Sequence, residues 1–256
     1  MDNISKEYLI KLLEKGKRID GRGFDEIRKI EISYDVSKHA EGSARVKFGD
    51  TEVMVGVKLE AGEPFPDKPN EGTIIVNAEM LPLSSPEFES GPPNVSSIEL
   101  ARVVDRAIRE SEAIDFKKLC ITEGEKVWIV LIDIYTINDR GNLQDASSLA
   151  ALAALKQTKI PGYDGKRVDY SKRNEKLPLV SLPIEFSVVK IKDKLLSDPC
   201  LEEEKLMDAR LTVGVAEDGE ICAMQKGGGG VLTADDVNKI IEISLKNSEK
   251  LRKLIK

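Results

Sequence analysis

Residues 41–60, EGSARVKFGDTEVMVGVKLE, limit the fold most severely, because two runs of apolar–polar alternation meet at Gly49-Asp50. Strand side chains point alternately to opposite faces, and a two-residue link containing Gly favours a tight hairpin. Antiparallel strands are therefore expected at Ala44–Phe48 and Glu52–Leu59. Further along, the period changes. Leu100, Val103, Val104, Ala107 and Ile108 recur at helical spacing within Ser97–Ser111, which predicts an amphipathic helix. Gln144–Gln157 is nearly all Ala, Leu and Ser, a helix slim enough to pack inside the molecule.

Other elements follow from the same rules. An N-terminal helix is expected, with a stripe of Ile4, Tyr8, Leu9, Leu12 and Leu13 and a stop at Gly16. Asp20-Gly21 marks a turn, followed by a strand at Ile27–Tyr34. The proline-rich EPFPDKPNEG reads as an exposed loop, then a strand at Thr73–Met80 and a second loop ending at Asn94. The β-branched run Lys126–Ile137 reads as a buried strand, and the polar stretch Gly162–Leu177 as a boundary loop. Beyond it, strands are expected at Leu182–Val189, Lys190–Leu196, Asp208–Val215 and Glu220–Lys226. A last helix starts at Thr233, capped with Asp236, and buries Val237, Ile240, Ile241 and Leu245. Strands then helices, twice over, give an α+β pseudo-repeat. We divide it into an N-terminal helix and arm (1–28), a first half (29–160) and a second half (161–256).

Composition narrows the function. The net charge of −6 excludes a chain that coats nucleic acid with its whole surface, so contact with a polyanion needs a local basic patch. Three scattered cysteines without a CxxC, and one histidine (His39, in a polar stretch), argue against a zinc cluster and for a reducing cytoplasm. No apolar run approaches a membrane span, and the N-terminal segment lacks a signal peptide's apolar core.

Three motifs invite chemistry. Gly227–Gly230 lacks the Lys-Ser/Thr of a phosphate loop and is expected only to turn the last strand into the last helix. Glu202, Glu203 and Glu204 supply oxygen ligands suited to Mg²⁺, but such a run is ordinarily a solvated surface. Arg102, Arg106 and Arg109 fall on one helix face, away from the core stripe. Glu99 and Asp105 stand at i,i+3 and i,i+4 spacing from Arg102 and Arg109, so a salt-bridged surface is the plain alternative to a binding face.

Four segments in order resemble the RNase PH family of phosphate-dependent 3′ exoribonucleases: RIDGRGFDEIR (18–28), EGSARVKFGDTEV (41–53), SIELARVVDRAIRES (97–111) and DPCLEEEKLMDARLTVGV (198–215). The chain is similar, within that family, to the non-catalytic ring component of the archaeal exosome. The resemblance implies an RNase PH-like fold of two β-α units with mostly antiparallel sheets and packed helices. Active members place Gly-Ser-Arg before the small-residue helix to hold the attacking phosphate. Asn142, Leu143 and Gln144 occupy the aligned positions here, without a charge or an Arg fork. Asp198 and Glu204 match the family's pair of catalytic aspartates, the second replaced by Glu. The resemblance thus implies no catalytic residue of its own, no cofactor and no metal. RNA binding falls to Arg102, Arg106 and Arg109. The implied partners are a catalytic RNase PH-like subunit, in a ring of three alternating pairs, RNA-binding cap subunits and single-stranded RNA, with no membrane. An autonomous exoribonuclease and a scaffold without RNA contact are the alternatives.

Overall fold

The computed structural model describes residues 3–256. After helix α1 (Asn3–Glu14) come strands β1 (Ile30–Tyr34), β2 (Gly42–Phe48), β3 (Thr51–Gly62) and β4 (Thr73–Met80), then α2 (Val95–Glu110). Strands β5 (Cys120–Thr122) and β6 (Lys126–Asn138), then α3 (Leu143–Gln157), complete the first half. The first sheet runs β1-β2-β3-β6-β4, with β5 on β6. All its pairings are antiparallel except β4 with β6. The alternation delivers the expected hairpin: Phe48 pairs with Thr51 across Gly49-Asp50, and Gly49 takes the positive φ such a link needs. Ala44, Val46, Phe48, Val53, Val55, Val57 and Leu59 are all buried on one face.

The chain continues through β7 (Lys159–Tyr163), β8 (Val168–Lys176), β9 (Ile184–Ile191), β10 (Lys194–Ser197), the one-turn α4 (Leu201–Glu204), β11 (Ala209–Val215), β12 (Ile221–Gly227) and α5 (Ala234–Arg252). The second sheet runs β10-β9-β11-β12, all antiparallel. The α3 helix is buried from Leu143 to Leu155 and packs against β2, β3 and β9, so it fills the interior between the two sheets. It lies so close to β2 that a Cβ on Gly42 would collide with Thr158 and the Ala154 carbonyl. The mixed α+β architecture with mostly antiparallel sheets is the one expected.

Several local expectations change. Residues 162–177 form no loop; most belong to the hairpin β7–β8, anchored where Tyr163 meets Trp128 edge-on at 6.1 Å. Its outer positions are charged, which hides the strand period. The strand expected to end at Val189 continues to Ile191, because Lys192, at φ 54°, makes the turn. The first strand starts at Ile30, not Ile27, since the Arg28 N–H is drawn off to Asp198 (2.8 Å). Thr233 and Asp236 do cap α5 reciprocally. However, its buried line is Ile240, Ser244, Asn247, Ser248 and Leu251, while Ile241 is half-buried and Leu245 exposed. Small polar residues reach the core there because Ser244 and Asn247 return their donors to the helix carbonyls of Ile240 and Ile243. In α1, Leu9 and Leu13 are buried and Tyr8 is exposed; the side chain of Ile4 lies outside the described residues. Among those residues, no helix is long and apolar enough to cross a membrane.

Candidate functional site

Helix α2 starts cleanly because the Asn94 side chain accepts the Ser97 N–H at 2.9 Å. Its buried stripe of Leu100, Val103, Val104, Ala107 and Ile108 fixes which face is left outside. Arg102, Arg106 and Arg109 are all exposed on that outer side, but their surroundings differ. Arg109 is held by Asp105 through two hydrogen bonds (2.7 and 3.1 Å) and also reaches the Ile74 carbonyl. Among the described residues, the one hydrogen bond of Arg106 is to Gln225 of β12, at 3.4 Å. Arg102 has no ion pair or hydrogen bond among the described residues, because Glu99, its expected partner, is taken by Arg210 of β11 at 2.8 Å. The stripe therefore splits into two available cations and one neutralised one.

The α3 N-terminus, where the resemblance places phosphate, is closed by the protein itself. Asn142 adopts a left-handed conformation (φ 60°), and its N–H donates to Glu204 at 2.8 Å. Exposed helix-start N–H groups are what an anion needs; here a side-chain carboxylate already holds one. Burial pushes the Glu204 carboxyl up to about 7. Gln144 is buried and accepts a hydrogen bond from Thr212 at 2.8 Å, and Leu143 is buried too.

Asp198 is fully buried. One of its oxygens accepts from Arg28 Nη2 (2.6 Å) and Asn142 Nδ2 (2.8 Å), the other from Arg28 N and Nε and from Arg22 Nη1. Burial alone would raise its pKa, but these bonds, led by those from Arg28, outweigh it and hold the carboxyl below the usual range. Such an ion-paired carboxylate is a poor proton donor. Next to it, Arg18 forms a two-point pair with Glu203 (2.6 and 2.8 Å) and donates to the Ser197 and Asp198 carbonyls.

The triple-Glu run is therefore not the solvated surface expected from the sequence. Glu203 is buried against Arg18, while Glu204 and Glu202 are half-buried, the first accepting the Asn142 N–H and the second pairing with Arg140. The RIDGR segment is the other half of this clamp. Sequence reading missed the link because Arg18 and Glu203 are 185 residues apart; two unexplained charge runs in one chain were the available signal. Gly227–Gly230 behaves as a structural turn: the Gly230 N–H donates to Asp208 O at 2.7 Å, and a Cβ there would strike that same backbone.

The 3′ exoribonuclease family's domain 1 matches residues 26–161, and its domain 2 matches residues 181–247. The chain is 50% identical over 254 residues to the exosome complex component Rrp42 of Archaeoglobus fulgidus, covering 99% of this chain and 96% of that protein. It is 46% identical over 259 residues to the Thermococcus kodakarensis protein of the same name, covering 100% and 95%. Among solved structures it superposes with TM-score 0.93 and 50% identity on a chain of the A. fulgidus exosome with RNA bound to the active site, covering 99% and 98%. A chain of an archaeal exosome core gives TM-score 0.86 at 47% identity, covering 98% and 95%. With both halves matched and relatives this similar along nearly their whole length, the chain belongs to the RNase PH-type 3′ exoribonuclease family.

Proposed function

We propose that this chain is a non-catalytic subunit of a hexameric exosome ring in the cytoplasm, alternating with a catalytic RNase PH-like sister and lending Arg102 and Arg106 to the RNA path. The ring carries RNA-binding cap subunits and degrades single-stranded RNA from its 3′ end by phosphorolysis in the sister's sites. The observation that carries this reading is the Glu204 carboxylate on the Asn142 N–H, together with the Leu143 and Gln144 side chains beside it. Phosphorolysis needs an anchored inorganic phosphate, and the guanidinium beside that helix start, Arg28, is committed to Asp198 and the Gly141 carbonyl. Similarity to exosome components supports the ring, and the open cations of α2 support RNA contact.

The pure chain, incubated with single-stranded RNA, phosphate and Mg²⁺, is expected to release no nucleoside diphosphates, whereas the ring formed with its sister releases them. Release by the pure chain at a rate comparable with the ring would revive the autonomous exoribonuclease.

A further inference from the structure

Residues 159–176 carry six lysines and arginines against three acids, a local positive excess in a chain whose net charge is −6. They form the β7–β8 hairpin, which neither α2 nor the clamp employs. It is tied to the first half by Tyr163 on Trp128, by the Lys159 N–H on the Glu41 carbonyl and by Arg173 on the Lys38 carbonyl, the last two at 3.2 Å. Lys159 and Lys176 stand directly opposite one another across the two strands. Directly opposed side chains share a face, and like charges there repel. At the tip, Lys166 and Arg167 are adjacent. All four are exposed, and among the described residues none of their side chains has an ion pair or a hydrogen bond. The hairpin's own acids are mostly committed elsewhere. Asp164 accepts the backbone N–H groups of Lys166 and Arg167 (2.8 and 2.7 Å), so it shapes the tip. Asp169 accepts from Ser171 and pairs with Lys172 at 3.2 Å. Glu175, opposite Ile160, is one exposed acid against four open cations. Tyr170 lies on β8 between the tip and Lys176, its ring exposed and Lys58 Nζ 4.3 Å from its centroid.

We propose that the β7–β8 hairpin is a second RNA surface of this chain, separate from α2, which takes the phosphates of a single strand on Lys159, Lys176, Lys166 and Arg167. This rests on the reading that the chain contacts RNA. The opposed lysine pair is relieved when an anion lies across it. A strand rises roughly 3.3 Å per residue, so β7 alone sets that pair roughly 13 Å from the tip. A lone phosphate does not span that distance; an extended polyanion does. An acidic polypeptide is the other polyanion of such reach. The exposed Tyr170 ring favours RNA, because cations beside an open aromatic suit a strand whose bases stack while its phosphates are neutralised. Contacts of this kind carry no base information, so the surface is tolerant of sequence.

The test uses the ring assembled with its sister and a uridine-rich oligonucleotide carrying 4-thiouridine. Filter binding at several salt concentrations compares the unmodified ring with two double variants, Lys159→Gln with Lys176→Gln and Lys166→Gln with Arg167→Gln, and with their combination. If each cation meets one phosphate, each double variant flattens the slope of log K against log salt by about 1.4 per contacting subunit, and the combination by about 2.8. Irradiation should attach the RNA to the peptide that carries Tyr170. Without RNA, Lys159→Gln with Lys176→Gln should melt no lower than the unmodified chain, since it removes a repulsion; a drop would make the pair structural and count against the proposal. Unchanged slopes with no crosslink in the hairpin overturn the second surface, even where Arg102→Ala with Arg106→Ala weakens binding. If the hairpin and α2 variants all bind like the unmodified ring, RNA contact by this chain fails altogether. Loss of a protein subunit from the variant complex, with RNA binding unchanged, would assign the hairpin to an acidic protein partner and likewise overturn the proposal. Should the combined variant not assemble, the two double variants and the crosslink in the unmodified ring decide the matter.

Discussion

Arg18, Arg22 and Arg28 on the N-terminal arm and Arg102, Arg106 and Arg109 on α2 are two sets of three arginines in one chain, set in opposite environments. The arm's guanidiniums are nearly or wholly buried and surrounded by acceptors: Glu203, Asp198 and the carbonyls of residues 197 and 198. Those of α2 lie in the open, and among the described residues only Arg109 is ion-paired with an acid. Spacing in the sequence does not separate the sets; the acceptors brought from elsewhere in the fold do. A buried arginine with all its partners holds structure, while an exposed one lacking them is available to a ligand.

The sharpest way to break this comparison is to remove one acceptor from the buried set. Glu203→Ala leaves the Arg18 guanidinium, whose side chain is fully buried, without its counter-charge. We expect a loss of about 3–5 kcal/mol, against at most about 0.5 kcal/mol for Arg102→Ala on the surface. Urea-unfolding midpoints measure both. Equal shifts would abolish the distinction.

A smaller effect is expected from Asp198→Asn, which keeps the shape but removes the charge facing Arg22 and Arg28. Hydrogen bonds to charged groups contribute about 1.5–3 kcal/mol, so stability should fall within that range while turnover by the ring persists. Because the folded pKa of Asp198 is depressed, its contribution is complete above the ordinary carboxylate range near pH 4 and is lost as pH falls through the lower folded value. The difference between unmodified protein and Asp198→Asn should therefore shrink in acid. Loss of turnover with RNA binding intact would instead give Asp198 a chemical role.

For the exposed set, Arg102→Ala with Arg106→Ala should leave assembly intact and flatten the slope of log K against log salt. The change is about 1.4 per contacting subunit if each arginine meets one phosphate of a single strand. Different RNA sequences should lose affinity alike, since phosphate contacts carry no base information. Filter binding at several salt concentrations decides between this and the scaffold reading, which expects no change. Smallest of all should be Arg109→Ala. Asp105 already neutralises that side chain, so the same assay should show a slope change well below that of either neighbour.

These contrasts explain what the sequence discloses and what it withholds. The β2–β3 hairpin, the α2 stripe and the Thr233 cap are legible because each is decided by residues within a few positions of one another. The strand period of 162–177 is not, because its outward positions are charged and its inward ones meet Trp128, which belongs to another element. The exposure of Leu245 follows from how α5 lies on its sheet, which its own spacing does not encode. At the site, the family resemblance set residues 142–144 at the positions of its Gly-Ser-Arg and so implied that an Arg fork is absent there. That Glu204 would occupy the vacated helix start, or that Glu99 would leave Arg102 for Arg210, depends on contacts between distant segments.

The Glu204–Asn142 contact also bears on how such a chain could change over generations. Placing an Arg at position 144 by itself would bring a cation toward Glu204 and into a buried slot now filled by the Gln144–Thr212 hydrogen bond. The new guanidinium would find an internal carboxylate before any free phosphate, and the substitution would cost stability without yielding turnover. Removing Glu204 first would uncap α3 with nothing to bind in exchange. Each single step is unfavourable until the other has been taken. If the chain is the non-catalytic subunit proposed above, that state is guarded by epistasis, because neither substitution alone opens a phosphate site at the start of α3.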